Sequence, residues 1–135
     1  MWHTYFYIEK MKKFYSEVGK KKWAFVFAYD IGDEDLEEIE SWMYSLGARR
    51  QDVRKSERII LDLNKGFTFS NDELNMSLVC ISDATSEEEW WNTVVHEIDH
   101  LQHSICMYYG VEHGSEDCAY LQGELMRLIM QGLHK

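Results

Sequence analysis

Residues 93–103 read TVVHEIDHLQH, from Thr93 to His103. Two histidines, His96 and His100, stand four apart, and Glu97 follows the first. An α-helix completes a turn in 3.6 residues, so positions 96 and 100 lie one above the other on one face. Imidazoles at that spacing converge on a single cation. The flanking residues supply the helix this requires. Ser86 followed by Glu89 is a capping-box pattern. Trp91, Val94 or Val95, Ile98, Leu101, Ile105 and Tyr108 then recur at helical spacing as an apolar stripe. Gly110 is a suitable C-terminal stop. Ile98 sits roughly 200° around the helix from His96, so the histidines point away from the stripe. Glu97 is offset by about 100° from His96. It can lie beside a metal without binding it, where a general base takes a proton from a zinc-bound water. Asp99 falls off the metal face and reads as structural. Thr93 and His103 share that face and read as polar filler, with substrate contact as the alternative. Trp90 and Trp91 read as packing residues.

Zinc takes four ligands, and a catalytic site leaves one of them to water. A third protein ligand must therefore come from elsewhere. His103 shares the face but lies roughly 10.5 Å along the axis from His96. His113, in the turn "VEHGS", needs an unusual loop path. Glu116 opens the next helix, capped by Ser115, with Asp117 also in its acidic first turn. That helix must fold back because the turn is short, and its first turn can approach the metal face. Cys118, Leu121, Leu125 and Leu128 or Ile129 form its buried stripe. Glu116 is the expected third ligand.

Outward from this pair of helices, the chain reads as strands and helices. The segment Trp2–Ile8 is aromatic and reads as a strand. The lysine-rich stretch after it reads as a helix up to Gly19. "WAFVFAYDI" is a strand. "GDEDLEEIESWMYSLGA" reads as a helix that starts on acids and stops at a glycine. "RIILDLN", "GFTFSN" and "MSLVCISD" read as three further strands. The expectation is one α+β domain over residues 1–135: a twisted mixed sheet packed on the HEIDH helix, followed by a C-terminal helix.

Size and charge bound the function classes. The chain of 135 residues, 45% hydrophobic, suits one modest core. Residues 1–65 carry 12 basic and 12 acidic side chains, whereas residues 66–135 carry 2 and 12. An acidic C-terminal half disfavours nucleic acid, which needs cations against its phosphates. The six lysines of "KMKKFYSEVGKKK" read as a solvated face. No run approaches the roughly 18 apolar residues of a membrane span. The start of the chain does not read as a secretory signal, so a cytoplasmic location is expected. Cys80, Cys106 and Cys118 lack CxxC spacing and read as buried thiols rather than a disulfide framework.

HEIDH followed by "SEDCAYLQGEL" resembles the gluzincin metallopeptidases, whose signature is HExxH plus a downstream glutamate at a helix start. The shortness is similar to minimal members of that clan and to small metallopeptidases of bacterial and phage genomes. The match covers about residues 86–130. The resemblance implies a zincin-like fold and zinc-dependent hydrolysis of a peptide or protein substrate. His96, His100 and Glu116 would be the Zn2+ ligands and Glu97 the catalytic base. Larger gluzincins often carry an aspartate four residues after the ligand glutamate. Tyr120 stands there in this chain, where it could donate to an oxyanion or brace a ligand. The resemblance also implies that "MSLVCISD" is an edge strand that pairs with substrate; an ordinary core strand is the alternative. A zinc-binding regulatory or structural protein without catalysis is the rival function, and a metal-free interaction module a third.

Overall fold

The computed structural model describes residues 11–19 and 22–135. The expected strand Trp2–Ile8 lies outside them. Lys12–Val18 (β1) is a strand, which corrects the expectation of a helix there. Phe14 and Val18 turn toward the core while Lys13, Tyr15 and Glu17 face solvent. That period of two belongs to a strand with one buried face. Trp23–Tyr29 (β2) is the strand expected, and it pairs antiparallel with β1, Val18 opposite Trp23.

A single 3-10 turn, Asp33–Asp35, leads into Leu36–Ser45 (α1), which buries Ile39 and Met43. The chain leaves α1 through Gly47 at φ +84°, a conformation costly for any residue with a Cβ. Arg50–Ile60 (α2) follows, so the "RIILDLN" strand is corrected: Arg58, Ile59 and Ile60 end a helix. Val53, Ser56 and Ile60 are its buried residues, three and four apart as a helix face demands. The Arg49 amide donates to Asp52 Oδ2 at 3.0 Å, which satisfies one of the free N–H groups at the start of α2.

Gly66–Asn71 (β3) and Met76–Ile81 (β4) form an antiparallel pair, Thr68 opposite Val79. β2 and β4 are parallel. The four-stranded mixed sheet runs β1-β2-β4-β3. β4 is therefore interior, paired on both sides, so "MSLVCISD" is the core strand given as the alternative and not the edge that the resemblance implied. The edge on that side is β3.

Alternation along the strands sorts the core into two clusters. Ala28, Leu78, Cys80 and Phe67 pack with α1 and α2 on one face. Phe25, Phe27, Val79 and Ile81 pack on the other with Glu87–Tyr108 (α3) and Glu116–Leu133 (α4). Val94, Ile98 and Leu101 of α3 are fully buried, whereas Val95 is 49% exposed, so Val94 carries the stripe. The Ser86 hydroxyl accepts from the Glu89 amide at 3.1 Å and caps α3. Trp90 packs edge-on against Phe27 and Tyr29.

α4 returns along α3 through a seven-residue connection. Leu125 and Ile129 are buried in the shared core, and the Gln102 amide donates to the Cys118 carbonyl at 3.1 Å. Cys106 and Cys118 are joined as a disulfide that ties the end of α3 to the start of α4. This corrects the reading of three thiols: only Cys80 is a free, buried thiol. The spacing held no cue, because the partners meet through the antiparallel return of two helices. Among the described residues, no helix is long and apolar enough to cross a membrane.

Candidate metal centre

The middle of α3 crosses beneath β3. Its apolar stripe presses Ile98 and Leu101 into the sheet, which leaves the opposite side of the same turns for His96 and His100. Both histidines are exposed. Their Nε2 atoms lie 3.2 Å apart, with the rings nearly perpendicular at 83°. That separation suits two nitrogens bound to one ion at about 2.0–2.1 Å each.

Glu97 occupies a different environment, at 4% exposure under β3. The Thr68 hydroxyl donates to Glu97 Oε1 at 2.9 Å and lies 3.2 Å from the Glu97 backbone carbonyl. Burial holds the Glu97 carboxyl above its usual range. The Thr68 hydrogen bond and the nearby His100 and His96 pull it the other way without cancelling the rise. His96, Glu97 and His100 bring their ligand atoms within 4.8 Å of one another and form the one such His/Cys/Asp/Glu group among the described residues. Thr68 was not legible as a site residue, because its role depends on β3 lying over α3.

Gly66 makes that close approach possible. A Cβ there would stand 2.7 Å from the Cys80 carbonyl, 3.0 Å from Glu97 Cγ and 3.1 Å from Thr93 Cγ2. Thr93 is buried, and its hydroxyl donates to the Glu89 carbonyl at 3.1 Å. Cys80 lies behind the carboxyl; burial, then the Glu97 charge, pushes its thiol well up, which keeps it unreactive.

The structure does not bring Glu116 or Tyr120 to this group. The first turn of α4 is fixed beside Gln102 and Cys106, and Cys106 is about 9 Å along the axis from His100. Cys118 is fully buried, and residues two positions either side of it point roughly 200° away. Glu116 is accordingly exposed and Tyr120 is 71% exposed. His103 and His113 meet each other rather than the His96–His100 pair, with Nδ1 atoms 3.3 Å apart. Asp99 is exposed.

A cleft of about 420 Å³ opens over the group. α2 contributes Lys55 and Ser56 to one wall, the β3 edge contributes Thr68 and Phe69, and α3 contributes His100 and Ser104. Among the described residues β3 pairs with β4 alone, so its outer edge lies along this cleft. The arrangement can hold a divalent ion beside a carboxyl group of raised proton affinity, with a strand edge unpaired among the described residues alongside. Protein families, curated proteins and solved structures, each compared with this chain, contain no match to it.

Proposed function

We propose that the protein is a zinc-dependent peptidase of zincin-like architecture, with His96 and His100 holding the ion and Glu97 as general base. The observation that carries this reading is the pairing of two exposed imidazoles 3.2 Å apart with a buried, hydrogen-bonded carboxyl between them in sequence. The two imidazole nitrogens suit zinc and other borderline transition ions better than Mg2+ or Ca2+, which favour oxygen, and water fills the positions to which the described residues bring no third ligand. A bound zinc ion supplies an acidified water and polarises a carbonyl.

The chain's own residues do the rest. Glu97 takes the proton of the attacking water and returns it to the leaving amine. Burial under β3 raises its proton affinity in the metal-free chain, as suits a group that must accept a proton. Thr68 holds the carboxyl in one orientation. The β3 edge receives an extended peptide by strand addition, the part first assigned to "MSLVCISD".

Glu97→Gln is the direct test of the chemistry. It should retain the metal and lower cleavage of a peptide library by about 10²–10⁴-fold. Cleavage at the parent rate overturns the base assignment. Glu116→Ala, measured alongside for metal content, tests the ligand expected from sequence: lost metal assigns Glu116 to the site, and retained metal removes it.

A second reading is favoured by the ligand group itself. Two imidazoles with, among the described residues, no third donor besides Glu97 also suit a regulatory or structural zinc site, with Glu97 as a ligand. In that case Glu97→Gln loses the ion, and peptide cleavage is absent with or without chelator.

A further inference from the structure

We propose that His103 and His113 form a second site for a divalent transition-metal ion, separate from the His96–His100 pair. The two pairs have nearly the same geometry. His103 and His113 Nδ1 atoms are 3.3 Å apart, with ring centroids 4.8 Å apart and an interplanar angle of 78°. For His96 and His100 the ring centroids are also 4.8 Å apart, at 83°. Both rings of the second pair are exposed, so an ion and its waters reach them without opening the fold.

The two histidines come from different pieces of chain, and the fold holds both. His103 stands on α3, one turn before Cys106. His113 stands in the α3–α4 connection, which the Cys106–Cys118 disulfide closes at its base. Within the connection the Val111 amide donates to the Cys106 carbonyl at 2.9 Å, and the Ser115 amide to the Glu112 carbonyl at 3.1 Å. Gly110 and Gly114 take φ +69° and +87°, the left-handed conformations that turn the chain on each side of His113. A donor pair held in this way loses little freedom when it binds.

Charge favours a cation, since residues 66–135 carry 12 acidic and 2 basic side chains. Two imidazole nitrogens select Zn2+, Ni2+ or Cu2+ over Mg2+ or Ca2+. Water completes the coordination. His103 also lines the cleft over His96 and His100, which places the second ion at one end of it. The proposal does not rest on peptidase activity.

The test is a titration of the chelator-stripped full chain with Zn2+, following the number of ions bound. The parent should bind two. His103→Ala and His113→Ala should each bind one. The double variant His96→Ala/His100→Ala should also keep one, and adding His113→Ala to it should remove that ion. Far-UV circular dichroism checks that these substitutions of exposed residues leave the fold intact. Cu2+ bound to His96→Ala/His100→Ala should show nitrogen coupling from imidazole in its electron paramagnetic resonance spectrum, and lose it on His113→Ala. A parent that binds a single ion, lost in His96→Ala/His100→Ala, overturns the proposal. So does an unchanged count in His103→Ala/His113→Ala, or loss of both ions in His113→Ala alone. If instead the His96→Ala/His100→Ala variant binds as many ions as the parent, the first site fails and the second stands.

Discussion

Glu97 is a carboxyl group under a strand, beside two imidazoles that face water, and its neighbours set its proton affinity. Because its affinity for a proton is raised on folding, folding is favoured by the protonated form. In metal-free protein this contribution is present below the ordinary glutamate range and is lost as pH rises through the raised value. Glutamine does not titrate, and its side-chain oxygen still accepts from Thr68. Metal-free Glu97→Gln should therefore match the parent near pH 4 and unfold at a higher temperature than it by pH 8. Thermal melts across that range check this; a parent that gains on the variant with rising pH contradicts it. Thr68→Val removes the one side-chain donor seen on the carboxyl. It should cost about 1–3 kcal/mol in urea unfolding at pH 7. The loss should shrink in acid, where the protonated carboxyl tolerates the gap; an equal loss at both pH values would mean that the hydroxyl serves packing alone.

At the scale of elements, the site depends on how closely β3 rides over α3. Gly66→Ala has nowhere to place its methyl except against the Cys80 carbonyl and Glu97 Cγ. It should destabilise by about 1–3 kcal/mol and lower zinc affinity together, measured by denaturation and metal titration. Full stability in Gly66→Ala would show that the two elements pack more loosely than described. The Cys106–Cys118 link closes a short loop between α3 and α4, and constraints of that size contribute about 2–4 kcal/mol. Unfolding midpoints with and without reductant should differ accordingly.

The same scale shows what could be read beforehand. α3 and α4 were legible because Ser86, Ser115 and the stripe Val94, Ile98, Leu101 and Ile105 all speak the same helical period. β2 and β4 were legible as continuous apolar runs. α2 was missed because Arg58–Leu61 resembles a strand locally. Its helical signal is carried by Val53, Ser56 and Ile60 scattered among charges. β1 was missed because lysines hid the alternation of Phe14, Ser16 and Val18. Strand order is not a local property at all, so the exchange of edge between β4 and β3 needed the tertiary structure. Residue spacing placed His96, Glu97 and His100 together, whereas the distance from Glu116 depends on where the α3–α4 pair is stapled.

For the whole molecule, two helical layers enclose one mixed sheet, and the cleft lies where the sheet ends between α2 and α3. Acidic residues dominate the half that carries the histidines, and this draws cations toward the cleft. Zinc bound only by the folded chain adds stability by mass action. At 100 times the dissociation constant the gain is about 2.7 kcal/mol. Thermal melts of the parent should shift upward with free zinc, and His100→Ala should lose most of its share of that shift.

The central claim is that His96 and His100 hold one zinc ion together while Glu97 stays outside its coordination. The most direct measurement is the zinc content of the parent, His96→Ala, His100→Ala and Glu97→Gln, each dialysed against the same free zinc concentration. Each histidine variant should fall one ion per chain below the parent, and Glu97→Gln should equal it. Histidine variants that bind as much zinc as the parent would contradict the account.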